Sequence, residues 1–286
     1  MAATMKAVRI HSYGAPEVLV LEEAPRPEPA AGEVLVRVHG AGVNAIDWKT
    51  RAGYLQQYVP FTLPAILGWD IAGTVAELGA GVTGLKVGDE VYGQLEFPRA
   101  GGYAQYVAVK ADTLAPKPRT LNFAHAAGVP IAGLAAWHGL FSPDAIDLQP
   151  GQTVLIQAAA GGVGSFAVQL AKWKGARVIG TASGDNVAFA KSLGADEVID
   201  YTKQKFEDAV GKVDAVLDNV GGEVQERSLK VLKPGGILAT SAGLSVADAA
   251  EAQGIRSANV MGSAAIPDLK HLTTLIDEHV LKVMVD

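Results

Sequence analysis

The residues best placed to do chemistry run Thr153-Val-Leu-Ile-Gln157-Ala158-Ala159-Ala160-Gly161-Gly162-Val163-Gly164. An apolar, strand-like stretch enters a run of small residues, and a helix-forming segment follows at once. The spacing Ala159-x-Gly161-x-x-Gly164 is a variant of the GxGxxG string, with alanine in the first glycine position. Gly161 would let the backbone approach a diphosphate, because no side chain intervenes. Gly164 would let the helix pack close on its strand. The free N–H groups of Gly162, Val163 and Gly164 would then meet phosphate at the positive end of the helix dipole. A tight glycine turn that binds nothing can carry the same string, so its setting decides between the two.

A second question is which dinucleotide. Sites for NAD place Asp or Glu about 20 residues further on, against the ribose 2′-hydroxyl. Here that point reads Gly180-Thr181-Ala182-Ser183, without an acid. A carboxylate there would repel a 2′-phosphate, whereas hydroxyls would accept it, so NADPH is the expected cofactor. Ser183, Asn186, Lys191 and Tyr201 are the candidate groups around that phosphate. Lys191 also reads as a solvated helix lysine, Tyr201 as a packing residue at a strand end, and Asp185 as a helix N-cap.

These groups need elements to hold them. From Pro150-Gly151 onward short apolar strands alternate with helices. Strands are expected at Thr153–Gln157, Arg177–Gly180, Glu197–Asp200, Asp214–Leu217 and Gly236–Ser241. Helices are expected at Val163–Lys174, Asp185–Leu193 and Glu223–Leu232. Such alternation gives a parallel sheet covered on both faces, and right-handed crossovers make it doubly wound. The glycine string then sits at the first strand-to-helix junction of the series, where a ligand-binding turn belongs. Before it, Phe123–Phe141 is Ala- and Leu-rich with a helical pattern, and Ala247–Ala252 reads as a surface helix or loop. The first part of the chain is β-rich. Short runs at Met5–Ile10, Glu33–Val38, Gly68–Glu77 and Glu90–Tyr92 are separated by turn formers. The fold class is therefore α/β: a doubly wound sheet preceded by a compact β-rich domain. The expected boundaries are 1–122, 123–265 and a return segment at 266–286.

Composition narrows the function classes. The chain has 286 residues, a net charge of -6, 49% hydrophobic and 19% charged residues. That is the balance of a globular protein with a large core. An acidic excess disfavours nucleic acid as a partner. No apolar run reaches the ~18 residues that span a bilayer, and the first residues lack a secretory pattern. No membrane association and a cytoplasmic location are expected. Cysteine is absent, which removes disulfides, thiolate zinc sites and cysteine nucleophiles. The six histidines form no HxxxH or HxH pair, so no metal site is expected.

Further strings carry a resemblance. They include Met5-Lys6-Ala7-Val8, Gly42-Val43-Asn44-Ala45-Ile46-Asp47, Gly68-Trp69-Asp70-Ile71-Ala72-Gly73 and Val87-Gly88-Asp89-Glu90-Val91. Gly101-Gly102-Tyr103-Ala104, the segment Ala158–Leu170, Lys191–Tyr201, Asp218-Asn219-Val220-Gly221-Gly222 and Leu232–Gly236 follow. In this order the chain resembles the zinc-independent quinone oxidoreductase branch of the medium-chain dehydrogenase/reductase superfamily. The resemblance implies a GroES-like catalytic domain followed by a Rossmann domain. It implies NADPH, reduction of a quinone or an activated carbon–carbon double bond, and a homodimer paired around Ser257–Met261. Zinc-dependent relatives carry a cysteine and a histidine where this chain has Asn44 and Trp69. Asn44 and Asp47 match the string lining the nicotinamide end of the cleft, and Tyr54 lies near an active-site tyrosine. These three are the expected catalytic residues. Ala159, Gly161, Gly162, Val163, Gly164, Thr181, Ser183, Lys191, Tyr201, Asn219, Val220 and Ser241 are the expected cofactor contacts.

Alternatives and departures accompany this reading. Asn44 also reads as a turn cap, Asp47 as a cap on the following helix, and Trp69 as core packing. The family's Leu-Thr-Ala is Leu134-Ala135-Ala136 here, which removes a hydroxyl expected against the nicotinamide. The lysine often found near Ser183 is missing. The family also continues beyond the Leu281–Asp286 segment, so the sequence reads as truncated or naturally short. Two further functions stay open: an NADPH-holding protein with little turnover, and an alcohol dehydrogenase that recruits zinc through other ligands.

Overall fold

The computed structural model describes residues 3–58, 60–260 and 265–285. The chain divides into two compact units. The first comprises Met1–Ile131, Ser263–His279 and Val283–Asp286; the second comprises Ala132–Gly262 and Val280–Lys282.

The first unit is β-rich. Its larger sheet runs in the order Tyr106–Lys110, Glu33–Gly42, Asp70–Leu78, Glu90–Gln94 and Leu114–Pro116, all antiparallel. A smaller sheet runs Leu19–Pro25, Thr4–Ile10 and Ala65–Ile66. Val34, Val36, Ile71, Val75, Val91, Val107 and Val109 form the core with Trp69. β-Branched side chains fit this pleated surface, and full burial of each is worth about 1.5–3 kcal/mol. Register shifts between Leu35 and Val36 and between Val38 and Gly40 kink the central strand. The kinked end meets helix Phe123–Ala127. A Cβ on Gly40 would lie 2.6 Å from the Phe123 carbonyl oxygen, and one on Gly42 would lie 2.5 Å from that of Ala127. Only glycine admits that approach. The late helix Ile266–Asp277 returns to this unit. The Tyr92 hydroxyl reaches the Leu269 carbonyl at 2.9 Å and Thr273 Oγ1 at 2.8 Å, while Asp277 Oδ1 accepts from the Thr120 amide at 3.1 Å.

The second unit is the doubly wound sheet. Its strands lie in the order Glu197–Asp200, Arg177–Ala182, Thr153–Ile156, Val213–Asp218, Leu232–Thr240 and Arg256–Asn259, all parallel. The chain starts at the centre with Thr153–Ile156, winds outward to one edge, then crosses back. The carboxyl end of Thr153–Ile156 is therefore the topological switch point, where such sheets bind ligands.

Several elements differ from the sequence reading. The expected helical stretch at 123–141 is two helices, Phe123–Ala127 and Pro130–Phe141, because Pro130 can only open a new helix. The expected helix Glu223–Leu232 ends at Leu229, and Leu232 already belongs to the next strand. Leu19–Pro25, Tyr106–Lys110, Leu114–Pro116 and Arg256–Asn259 are strands that the pattern did not reveal. Leu19–Pro25 is an edge strand with mostly exposed side chains, so its hydrophobic alternation is weak. Residues Ala247–Glu251 form a short helix with Ala250 buried. No helix among the described residues is long and apolar enough to cross a membrane.

Candidate active site

In the second unit the glycine turn has the expected form. Helix Gly162–Trp173 begins at Gly161, and no side chain caps it. The first amides of a helix lack intrahelical partners, and here they open at exposed Gly161 and Gly162. A Cβ on Gly164 would lie 2.1 Å from the Ala158 carbonyl oxygen, so the helix start is pressed against the turn. Ala158 itself has φ +53°, an unusual conformation for a residue with a side chain. Its carbonyl accepts from the Gly161 amide at 3.0 Å, and Ala159 is buried behind the turn. An uncapped, side-chain-free helix start at the switch point fits a diphosphate.

Gln157 organises the back of this turn. Its Oε1 accepts from Thr181 Oγ1 at 2.7 Å, and its Nε2 donates to Ser228 Oγ at 3.2 Å. Thr181 Oγ1 also accepts from the Ala158 amide at 3.1 Å. The Thr181 hydroxyl is buried and committed, so it braces the turn instead of presenting itself to a ligand. Ser183 is half-buried at the end of its strand. Tyr201 is placed beside that end by its amide, which donates to the Ala182 carbonyl at 3.1 Å, and its ring is exposed. Lys191 lies in the last turn of helix Asn186–Ser192, at the opposite end from Ser183. Asp185 occupies the N-cap position of that helix but makes no capping bond from its side chain. Lys203, absent from the sequence reading, pairs with Asp200 at 3.0 Å just beyond Tyr201. The Asp200 carboxyl is held down to about 2, chiefly by the Thr202 hydroxyl and then by Lys203.

Asn219 and Ser241 are brought together. Ser241 Oγ donates to Asn219 Oδ1 at 2.8 Å, and Asn219 Nδ2 donates to the Gln157 carbonyl at 3.0 Å. Val220 stands half exposed on the same loop. Behind it lies a polar knot that the sequence did not announce. Buried Asp218 accepts from the Val220 and Gly221 amides, from Gln225 Nε2 at 2.9 Å and from Thr240 Oγ1 at 2.7 Å. Gln225 also donates to Thr240 Oγ1 and the Gly243 carbonyl, while its Oε1 accepts from the Ser245 amide and hydroxyl. A glutamine in Glu223-Val-Gln-Glu-Arg reads as a solvent-facing helix residue; only the fold shows that it is fully buried.

In the first unit Asn44 and Asp47 are joined. Asn44 is the N-cap of helix Ala45–Arg51, and its amide donates to Asp47 Oδ2 at 2.7 Å, as in a capping box. The helix-cap reading of Asp47 thus describes its geometry. Asn44 Nδ2 donates to Asp70 Oδ2 at 2.9 Å, and Asp70 also accepts from the Ile131 amide at 3.0 Å. Burial pushes the Asp47 carboxyl up to about 6, against the pull of the Asn44 amide and the Tyr103 hydroxyl. Burial raises Asp70 well above the carboxylate range, and the Asp47 charge adds to it. Tyr103 is pushed up by its own burial and by Asp47. Tyr54 is 69% exposed and makes its ring contact edge-on with Trp48 at 5.8 Å. Trp69 is buried against Phe61 and Phe97, in keeping with core packing. With an indole at 69 and the Asn44 amide turned to Asp70, neither residue offers the lone pair of an imidazole or thiolate. Among the described residues no group of three His, Asp or Glu could hold a metal ion.

Family models match both units. One for the alcohol dehydrogenase GroES-like domain covers residues 30–119, and one for zinc-binding dehydrogenases covers residues 162–274. The chain is 40% identical over 241 residues to 2-methylene-furan-3-one reductase of Solanum lycopersicum, covering 81% of this chain and 61% of that protein. It spans about three fifths of the length of several curated relatives it matches. Among solved structures, the quinone oxidoreductase from Coxiella burnetii superposes with a TM-score of 0.94 at 38% identity, covering 99% of this chain and 91% of that one. The Escherichia coli quinone oxidoreductase complexed with NADPH superposes with a TM-score of 0.87 at 30% identity, covering 99% and 91%. The two units have the sheet architectures of this group. The chain belongs to the quinone oxidoreductase-like branch of the medium-chain dehydrogenase/reductase superfamily.

Proposed function

We propose that the protein is an NADPH-dependent oxidoreductase that reduces a quinone or an α,β-unsaturated carbonyl compound without zinc. The observation that carries this reading is the uncapped helix start at Gly161–Gly164, set at the switch point of the parallel sheet. Relatives that act on a methylene-furanone and on quinones support the acceptor class. Bound reduced nucleotide supplies the hydride. The protein's part is to bind, orient and exclude water. The amides of Gly162, Val163 and Gly164 hold the diphosphate. Ser183 and Tyr201, adjacent at the strand ends, take the 2′-phosphate, with Lys203 just beyond Tyr201 in the chain. Asn219, Val220 and Ser241 shape the loop beside the nucleotide. Asn44 recognises the nicotinamide amide or the substrate carbonyl, and Tyr54 offers a hydroxyl to a developing enolate oxygen. Correct placement of reactants is worth up to about 7–11 kcal/mol in ideal geometry, which makes it the protein's largest contribution.

Titration with NADPH and NADH, followed by a quinone and enone panel, tests the reading. NADPH should bind more tightly and be oxidised by at least one acceptor class. Equal or reversed preference would remove Ser183 and Tyr201 from the phosphate. Tight binding without turnover would favour a nucleotide-holding protein. We further propose a homodimer through the sheet-edge strand Arg256–Asn259; Met261 lies outside the described residues. Light scattering at a single-chain mass would overturn that part.

A further inference from the structure

Asp70 is the buried acid that this reading leaves without a task. It opens strand Asp70–Leu78 and has no exposed surface. Apolar residues of similar volume are often cheaper than a buried ionisable group, so its presence calls for a physical reason. Its Oδ2 receives two donors, Asn44 Nδ2 at 2.9 Å and the Ile131 amide at 3.0 Å; Oδ1 lies 3.2 Å from the same amide. Nothing can stand between Gly42 and this acid, since a Cβ at Gly42 would lie 2.9 Å from Asp70 Cβ. Asp70 is thus held between the strand end that leads to Asn44 and the start of helix Pro130–Phe141.

The contact with Asn44 has a specific consequence. A carboxamide has two orientations of nearly equal shape and opposite polarity, distinguished only by its partners. The main chain of Asn44 is fixed by its amide bond to Asp47. Its side chain meets an acceptor oxygen of Asp70, which selects the orientation with Nδ2 inward. Oδ1 is thereby directed off Asp70 toward the helix start, where the capping box sets it over the Asp47 backbone amide, and the carboxamide has one defined polarity.

We propose that Asp70 is a positioning residue that locks the Asn44 carboxamide in one orientation for recognition of the nicotinamide or substrate carbonyl. This rests on the assignment of Asn44 above. The Ile131 amide, which converges on the same oxygen, keeps the carboxyl group from rotating away.

The test starts with wild-type protein free of nucleotide. An NOE between an Asn44 Nδ2 proton and the Ile131 amide proton is expected, because both point at Asp70 Oδ2; its absence overturns the proposal. Kinetics follow with Asp70→Leu, which removes the acceptor, and Asp70→Asn, which keeps an acceptor oxygen. Asp70→Leu should lower kcat by about a hundredfold, as small misplacements of reacting groups do, with the KM for NADPH little changed. Asp70→Asn should restore kcat to within a few-fold of wild type. In an Asn44→Ala background, Asp70→Leu should cost no further kcat. Full additivity would mean that Asp70 acts only through stability and would overturn the proposal. If Asn44→Ala itself turns over normally, the assignment of Asn44 fails as well. If Asn44→Ala is impaired while Asp70→Leu is not, only the role of Asp70 falls. Should Asp70→Leu not fold, the NOE and the Asp70→Asn kinetics decide.

Discussion

The two units each bury carboxylates next to their candidate binding groups, and they treat those acids in opposite ways. Asp218 in the second unit is surrounded by four donor groups: two loop amides, a glutamine amide and a threonine hydroxyl. Asp47 and Asp70 in the first unit share fewer donors, and Asp47 Oδ1 is buried with no donor within 3.5 Å, the Tyr103 hydroxyl acting on the carboxyl only from further off. Burial accordingly raises both of these acids. A fully satisfied network rigidifies, whereas a partly satisfied one stays costly and responsive. The second unit therefore holds its loop at Asn219–Gly222 as a fixed scaffold, while the first keeps an electrostatic cost at Asn44. The second unit has its own local cost, and it lies in the backbone: Ala158 at φ +53° and the crowded Gly164.

Breaking the satisfied hub should have the largest effect. Gln225→Leu removes one donor from Asp218 and leaves a buried acid short of a partner. The substitution also unpairs Thr240, the Gly243 carbonyl and Ser245; each buried polar group left unsatisfied costs about 1–3 kcal/mol, so the total is about 3–5 kcal/mol. Chemical denaturation should show a loss of that order; a loss below about 1 kcal/mol would mean that the hub is not tightly coupled and would erase the contrast. Gly164→Ala comes next. A Cβ there would sit 2.1 Å from a backbone oxygen that cannot swing aside. Overpacking of this kind costs about 3 kcal/mol, and nucleotide affinity should fall with it. Unchanged melting and unchanged NADPH titration would show that the turn is loose.

This contrast was only partly legible in the sequence. The alternation of strands and helices after Pro150 fixes the doubly wound sheet, because parallel sheets leave a strong periodic trace. Gly161–Gly164 was legible for the same reason: glycine spacing reports backbone approach directly. Asn44 and Asp47, three residues apart at a helix start, could be read as neighbours. The acceptors behind them could not. Asp70 stands 26 residues from Asn44 and reaches it only through the pairing of two strands. Gln225 looks like surface because side-chain type, not tertiary position, is all a local pattern contains. Thr181 is an expected cofactor contact from its place in the strand; its commitment to Gln157 and Ala158 appears only in three dimensions. Lys191 was favoured by charge, yet helix geometry carries it to the far end from Ser183.

The unsatisfied acids of the first unit give a pH signature of intermediate size. Asp47 titrates at about 6 in the folded chain against an ordinary 3.8. Between these values the native protein holds a proton that the unfolded chain has released. Raising the pH through that window therefore favours unfolding, and stability falls by up to about 3 kcal/mol. Asp47→Asn keeps an acceptor for the Asn44 amide and has no charge to bury. Its advantage over wild type should grow from about pH 4 to pH 7 and then level off. Melting curves at both ends of the range measure this; parallel pH slopes in the two proteins would take Asp47 out of the account.

The smallest effect tests whether the second unit's cost is in the backbone. Ala158 holds a left-handed conformation, which costs a residue with a Cβ about 1–2 kcal/mol. Glycine adopts it freely but gives the unfolded chain more freedom, which offsets about 0.4–1 kcal/mol of the relief. Ala158→Gly should therefore raise stability by about 0.5 kcal/mol and leave the amides of the turn in place. Because the φ value is shared by the free and nucleotide-bound turn on this reading, NADPH affinity should stay within about twofold, under 0.5 kcal/mol. A clear loss of stability would show that the Ala158 methyl is packed and useful, and that the strain assigned to this turn is compensated locally. A gain in stability with a marked loss of affinity would show instead that the strain is held for binding.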